Sequence, residues 1–117
     1  MLRAPKIRDA LPMFVASNLL RAQQRTMSLE RKSTSEKLAT VLIGFAKYAE
    51  FYDRRQRRLA LPLTRFDLAD YLGLAHETVV RTFAKFEQAR IIRRLSPRLI
   101  ELQDMNALRR LAQKDAS

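Results

Sequence analysis

Residues 61–87 constrain the fold more than any other stretch of this chain. Two short amphipathic runs meet there at Gly73. Thr64-Arg65-Phe66-Asp67 opens the first run, with Thr64 as N-cap and an acidic residue three positions later. Phe66, Leu68, Ala69 and Leu72 form its expected buried side. Gly73 ends the run as a left-handed C-cap residue, and Leu74 plugs the turn from below. The second run is predicted as a helix over about 76–90. It turns Val79, Phe83 and Phe86 to the core and Glu77, Thr78 and Arg81 to a polar side. Two helices joined by so tight a turn form a helix-turn-helix, which puts its second helix into the DNA major groove.

The flanking segments are read around that motif. Residues 1–11 form a lead-in broken by Pro5, and Pro12 suits the first turn of a helix. Val15, Leu19, Ala22, Thr26 and Leu29 then recur at spacings of 4, 3, 4 and 3, the seam of a two-stranded coiled coil. A helix packed on its own domain would show the same pattern. Residues 28–33 are polar and read as a hinge. A further helix is expected from about Ser35 to Tyr52, with Leu38, Val41, Leu42, Phe45, Tyr48 and Ala49 on its apolar face. Arg54-Arg55-Gln56-Arg57-Arg58 closes that helix or forms the next loop, either as a solvated face or as a phosphate or protein contact. Beyond the motif, residues 91–95 and 98–102 are β-prone, with Ser96-Pro97 turning between them. A terminal helix runs from Asp104, its N-cap, to about Gln113. The expected fold is mainly α with a small β-wing: a winged helix-turn-helix at 33–117, preceded by a long dimerisation helix and hinge within 1–32.

Composition narrows the partner. The formal net charge is +11, and 17 of the 23 basic residues are arginine. Arginine binds phosphates and guanine edges bidentately, so the bias favours nucleic acid over mere solubility. The basic residues are scattered over several elements, unlike a membrane-surface helix with one basic and one apolar face. There is no cysteine, which removes disulfides, iron–sulfur clusters and thiolate zinc sites. A single histidine argues against any metal site. No apolar run approaches the ~20 residues of a membrane span, and no secretion signal is evident, so a cytoplasmic location is expected. No phosphate-binding glycine loop or nucleophile–histidine pairing points to an enzyme, and no cofactor is expected.

The arrangement resembles the C-terminal half of the Crp/Fnr family of bacterial transcription regulators. The likeness is most specific over residues 61–74 and in Glu77-Thr78-Val79 followed by Arg81. It implies a homodimer built on the long helix and a winged helix bound to a palindromic operator. Family members usually carry an N-terminal sensor β-barrel, for which a chain of this length has no room. No small-molecule effector is therefore expected to act on it. Four positions depart from the family pattern. Ala75 stands where Ser or Thr usually caps the recognition helix, and Val80 where Ser or Gly faces the bases. Arg90 replaces a terminating glycine, and Ser96-Pro97-Arg98 replaces a glycine-containing wing turn.

Roles follow from side-chain chemistry. Arg81 can donate two hydrogen bonds to guanine, and Glu77, one turn earlier, can accept from cytosine N4. A plain surface ion pair between them is the bland alternative. Val80 can meet a thymine methyl, and His76 a base edge or a phosphate. Thr64, Arg65, Thr78, Thr82, Lys85 and Arg98 are expected at the phosphate backbone, which sets register but not sequence. RNA polymerase contact would involve residues 53–58. Two rival functions stay open: a partner that heterodimerises with full-length relatives and titrates them, and a non-specific basic nucleic-acid binder.

Overall fold

Ser33 opens the part of the chain that the computed structural model describes, residues 33–113. Its hydroxyl accepts from the Glu36 amide at 3.2 Å, and the Glu36 carboxylate accepts from the Ser33 amide at 3.0 Å. This reciprocal capping box starts helix α1, Thr34–Ala46. Leu38, Ala39, Val41, Leu42 and Phe45 on α1 are almost fully buried. The seam residues Val15, Leu19, Ala22, Thr26 and Leu29 lie outside the described residues.

Helix α1 stops six residues short of the expected Tyr52. The chain tightens there, with Lys47 and Tyr48 amides donating to the carbonyls of Gly44 and Phe45. Tyr48 and Ala49 are consequently exposed rather than core. Phe51 takes the expected place of Tyr48, packing edge-on against Phe45 at 5.8 Å between ring centroids. The basic run then forms a hairpin that the sequence did not announce. Strands β1 (Tyr52–Asp53) and β2 (Arg58–Ala60) pair antiparallel, Tyr52 opposite Leu59. Asp53 Oδ1 accepts from the amides of Arg55 and Gln56 and so folds the turn between them.

The helix-turn-helix follows as read. Thr64 caps α2 (Arg65–Leu72) by accepting from the Asp67 amide at 3.1 Å. Gly73 ends it at φ 68°, ψ 35°, and the Leu74 amide returns to the Ala69 carbonyl. Helix α3 runs His76–Gln88. Arg90, just past its end, takes the left-handed conformation at φ 61° that the resemblance reserves for glycine. Strands β3 (Ile92–Ser96) and β4 (Leu99–Leu102) form the wing, with a bulge between Arg94 and Ser96. The expected two-stranded wing is part of a four-stranded antiparallel sheet in the order β1-β2-β4-β3. Asp104 accepts from the Ala107 amide at 2.9 Å and starts α4, Met105–Gln113. Leu108 from α4, Leu59, Ile92, Ile100 and Leu102 from the sheet, and Leu68 and Val79 from the motif close one core around α1.

Nothing lies within 4 Å of the place a Cβ would occupy on Gly73. The cost of Gly73→Ala is therefore conformational alone, and a urea melt should show a loss of about 1–2 kcal/mol.

Candidate nucleic-acid interface

Helix α3 buries one side and offers the other. Val79, Thr82, Phe83 and Phe86 face inward. Glu77, Val80, Arg81, Ala84 and Lys85 are exposed. Glu77 and Arg81 stand one turn apart, and no ion pair joins them. The surface salt bridge of the bland alternative is thus not formed between these two described residues. Val80 is 41% exposed, unusually open for a valine on a helix whose other valine is 1% exposed. Ala75 occupies the N-cap of α3 and supplies no side-chain hydrogen bond. The first-turn amides of α3 thus lack the side-chain acceptor that Ser or Thr would provide.

Three expected phosphate contacts are placed differently. Thr82 is buried at 4% exposure, and its hydroxyl donates to the Thr78 carbonyl at 2.8 Å. It lies on the core side of α3 and cannot reach a backbone outside. Arg65 is half-buried between three elements. Its guanidinium carbon lies 4.2 Å from the centre of the Phe83 ring, and Nη1 donates to the Pro97 carbonyl at the wing turn. Burial pushes the Arg65 pKa below the ordinary arginine value, the neighbouring Arg94 charge adds to this, and Glu87 opposes it. Arg98 is at the wing turn as expected, but its Nε donates inward to the Leu61 carbonyl at 3.1 Å. The Leu61 amide donates back to the Arg98 carbonyl at 2.7 Å. Arg65 and Arg98 therefore fasten the wing to the segment leading into α2. Thr64 and Lys85 are exposed, and Thr78 is half-buried.

Phe66, expected on the buried side of α2, is also placed differently. It is 67% exposed, and its ring stacks on His76 with centroids 3.6 Å apart and planes 3° from parallel. A helical wheel carries the signal. At about 100° per residue, Leu68, Ala69 and Leu72 share one arc, Arg65 falls inside it and Phe66 falls outside.

A family model described as the Crp-like helix-turn-helix domain matches residues 36–111. The transcriptional activatory protein AadR of Rhodopseudomonas palustris is 38% identical over 79 residues, covering 68% of this chain and 33% of that protein. The nitrogen fixation regulation protein FixK of Azorhizobium caulinodans is 34% identical over 108 residues, covering 92% of this chain and 44% of that protein. The solved structure of FixK2 from Bradyrhizobium japonicum aligns with a TM-score of 0.68 at 29% identity, covering 91% of this chain and 52% of that one. The chain thus spans between a third and a half of the length of these relatives.

Arg65→Lys separates a fastening role from a phosphate clamp. Lysine keeps the charge but loses the planar fork that lies on Phe83 while reaching Pro97. A thermal melt without DNA should show a loss of about 1 kcal/mol; a free phosphate-binding side chain would leave the melt unchanged.

Proposed function

The chain belongs to the Crp-like helix-turn-helix family, and from that premise we propose that it binds double-stranded DNA in a sequence-specific manner as a transcription regulator. The observation that carries the reading is the exposed Glu77–Arg81 pair on the open side of α3, opposite the buried Val79, Phe83 and Phe86. In this reading α3 enters the major groove. Arg81 donates to guanine O6 and N7, Glu77 accepts from cytosine, Val80 meets a thymine methyl and His76 a base edge. Thr64, Thr78 and Lys85 touch phosphates, as do the guanidinium N–H groups that Arg98 leaves outside the wing turn.

The chain acts as a homodimer in this proposal, joined through Val15, Leu19, Ala22, Thr26 and Leu29 in its 1–32 segment, with 33–117 as the DNA-binding unit. Two such units set recognition helices one helical turn apart, about 34 Å, and so demand an inverted repeat. Residues 53–58, exposed and largely basic around the hairpin turn, are the surface this proposal offers to RNA polymerase. Among the described residues no helix is long and apolar enough to cross a membrane; the proposal puts the protein in the cytoplasm because its proposed partner is DNA. The relatives are named as regulators and activators, and the proposal assigns no catalytic step.

A randomised duplex pool, selected by gel shift near physiological salt and sequenced, tests the reading. An inverted repeat with a G·C pair in each arm is expected; equal binding to one isolated half-site would remove the dimer. Arg81→Ala should cost about 1–3 kcal/mol and relax one base position. An equal loss on every sequence would reduce Arg81 to a phosphate contact.

A further inference from the structure

Large apolar side chains exposed among the described residues include Tyr48, Phe66 and Val80. Tyr48 has an intramolecular use, lying edge-on to Phe51 at 6.1 Å. Phe66 and Val80 instead stand on the open side of the helix-turn-helix, and His76 links them. Its ring stacks on Phe66, and it precedes Val80 by one helical turn on the same face. Phe66, His76 and Val80 thus form an apolar and aromatic stripe beside the polar stripe of Glu77 and Arg81.

We propose that Phe66 is a positioning residue for sequence recognition, holding the His76 imidazole so that one ring edge meets a fixed base-pair position next to those of Glu77 and Arg81. The proposal rests on the reading of α3 as the recognition helix. A half-buried histidine in a first helical turn, with no fixed partner, samples several rotamers, and selecting one on binding lowers affinity. The stack makes that selection before DNA arrives. It covers one face of the imidazole and leaves the ring edge, where a neutral ring carries one donor and one acceptor, to face a base. Ala75 orders this turn through its carbonyl alone, which accepts from the Val79 amide at 3.2 Å, and adds no cap side chain beside His76, so the stack on Phe66 is the contact that orients the ring. A phenylalanine serving only to pack would be buried, and Phe66 is 67% exposed.

The test uses the full chain as wild type, Phe66→Ala, Phe66→Tyr and His76→Ala, each selected against a randomised duplex pool and then measured by gel shift. Phe66→Ala and His76→Ala should flatten preference at the same base-pair position of each half-site by roughly fivefold or more. Both should leave the Glu77 and Arg81 positions intact. Phe66→Tyr, which preserves the stack, should keep the wild-type profile, and the thermal melts should coincide. A uniform affinity loss on all duplexes, or an unchanged Phe66→Ala profile beside an intact G·C core, overturns the proposal alone. If the wild-type chain enriches no sequence, the recognition-helix reading falls and the proposal falls with it.

Discussion

The angle between α2 and α3 hangs on the dihedral angles of Gly73. Its left-handed turn lets the Leu74 amide close on Ala69 and releases the chain into a new helix only three residues later. That sharp reversal brings Val79 and Phe83 against the core while the opposite side of α3 stays open. It also sets the face of Phe83 beneath Arg65, whose guanidinium then reaches the wing at Pro97. Turn, exposed helix and wing are therefore one mechanical unit. A half-buried arginine serves as the joint because its charge meets a ring face and a carbonyl oxygen.

Much of this was legible in the sequence because the local signals agree with one another. A threonine cap, an acidic residue in the first turn, apolar residues at helical spacing and a terminal glycine all point to the same helix. The capped start at Asp104 and the β-prone pair around Pro97 were legible for the same reason. What escaped reading depends on tertiary geometry. Phe51 buries itself because the chain leaves the helix axis after Ala46, an exit that periodicity alone does not reveal. The short β1–β2 pair is held by β4, some forty residues away in sequence, and carries almost no pattern of its own. At the interface, residue type misled. Phenylalanine suggests core and arginine suggests solvent, whereas the helical wheel places Arg65 inward and Phe66 outward.

Charge is arranged to stay available. Glu101 pairs with Arg93 at 3.1 Å and with Arg57 at 3.8 Å, bracing the sheet across its strands. The arginine ends of both pairs are open to solvent while Glu101 is half-buried, so their contribution to stability is modest. Among the described residues, exposed basic side chains stand on the hairpin turn, α3, the wing and α4. A surface of this kind draws a polyanion from a distance, and its attraction weakens as salt screens it. In the proposed reading selectivity then comes from the few side chains that meet base edges, so their orientation matters more than their number.

Among the described residues, the strand order β1-β2-β4-β3 leaves two open sheet edges, a standing invitation for another chain to add a strand. Each edge refuses it. On one side β1 is only two residues long, too short to template a ladder. On the other, β3 presents the exposed Arg93 and Arg94, bends at its bulge and runs directly into Pro97, which has no amide to donate. Isoleucine- and leucine-rich strands so close to the surface would otherwise be prone to fibrous association. The short β1 and the irregular wing therefore each discourage edge-to-edge pairing between copies of this chain.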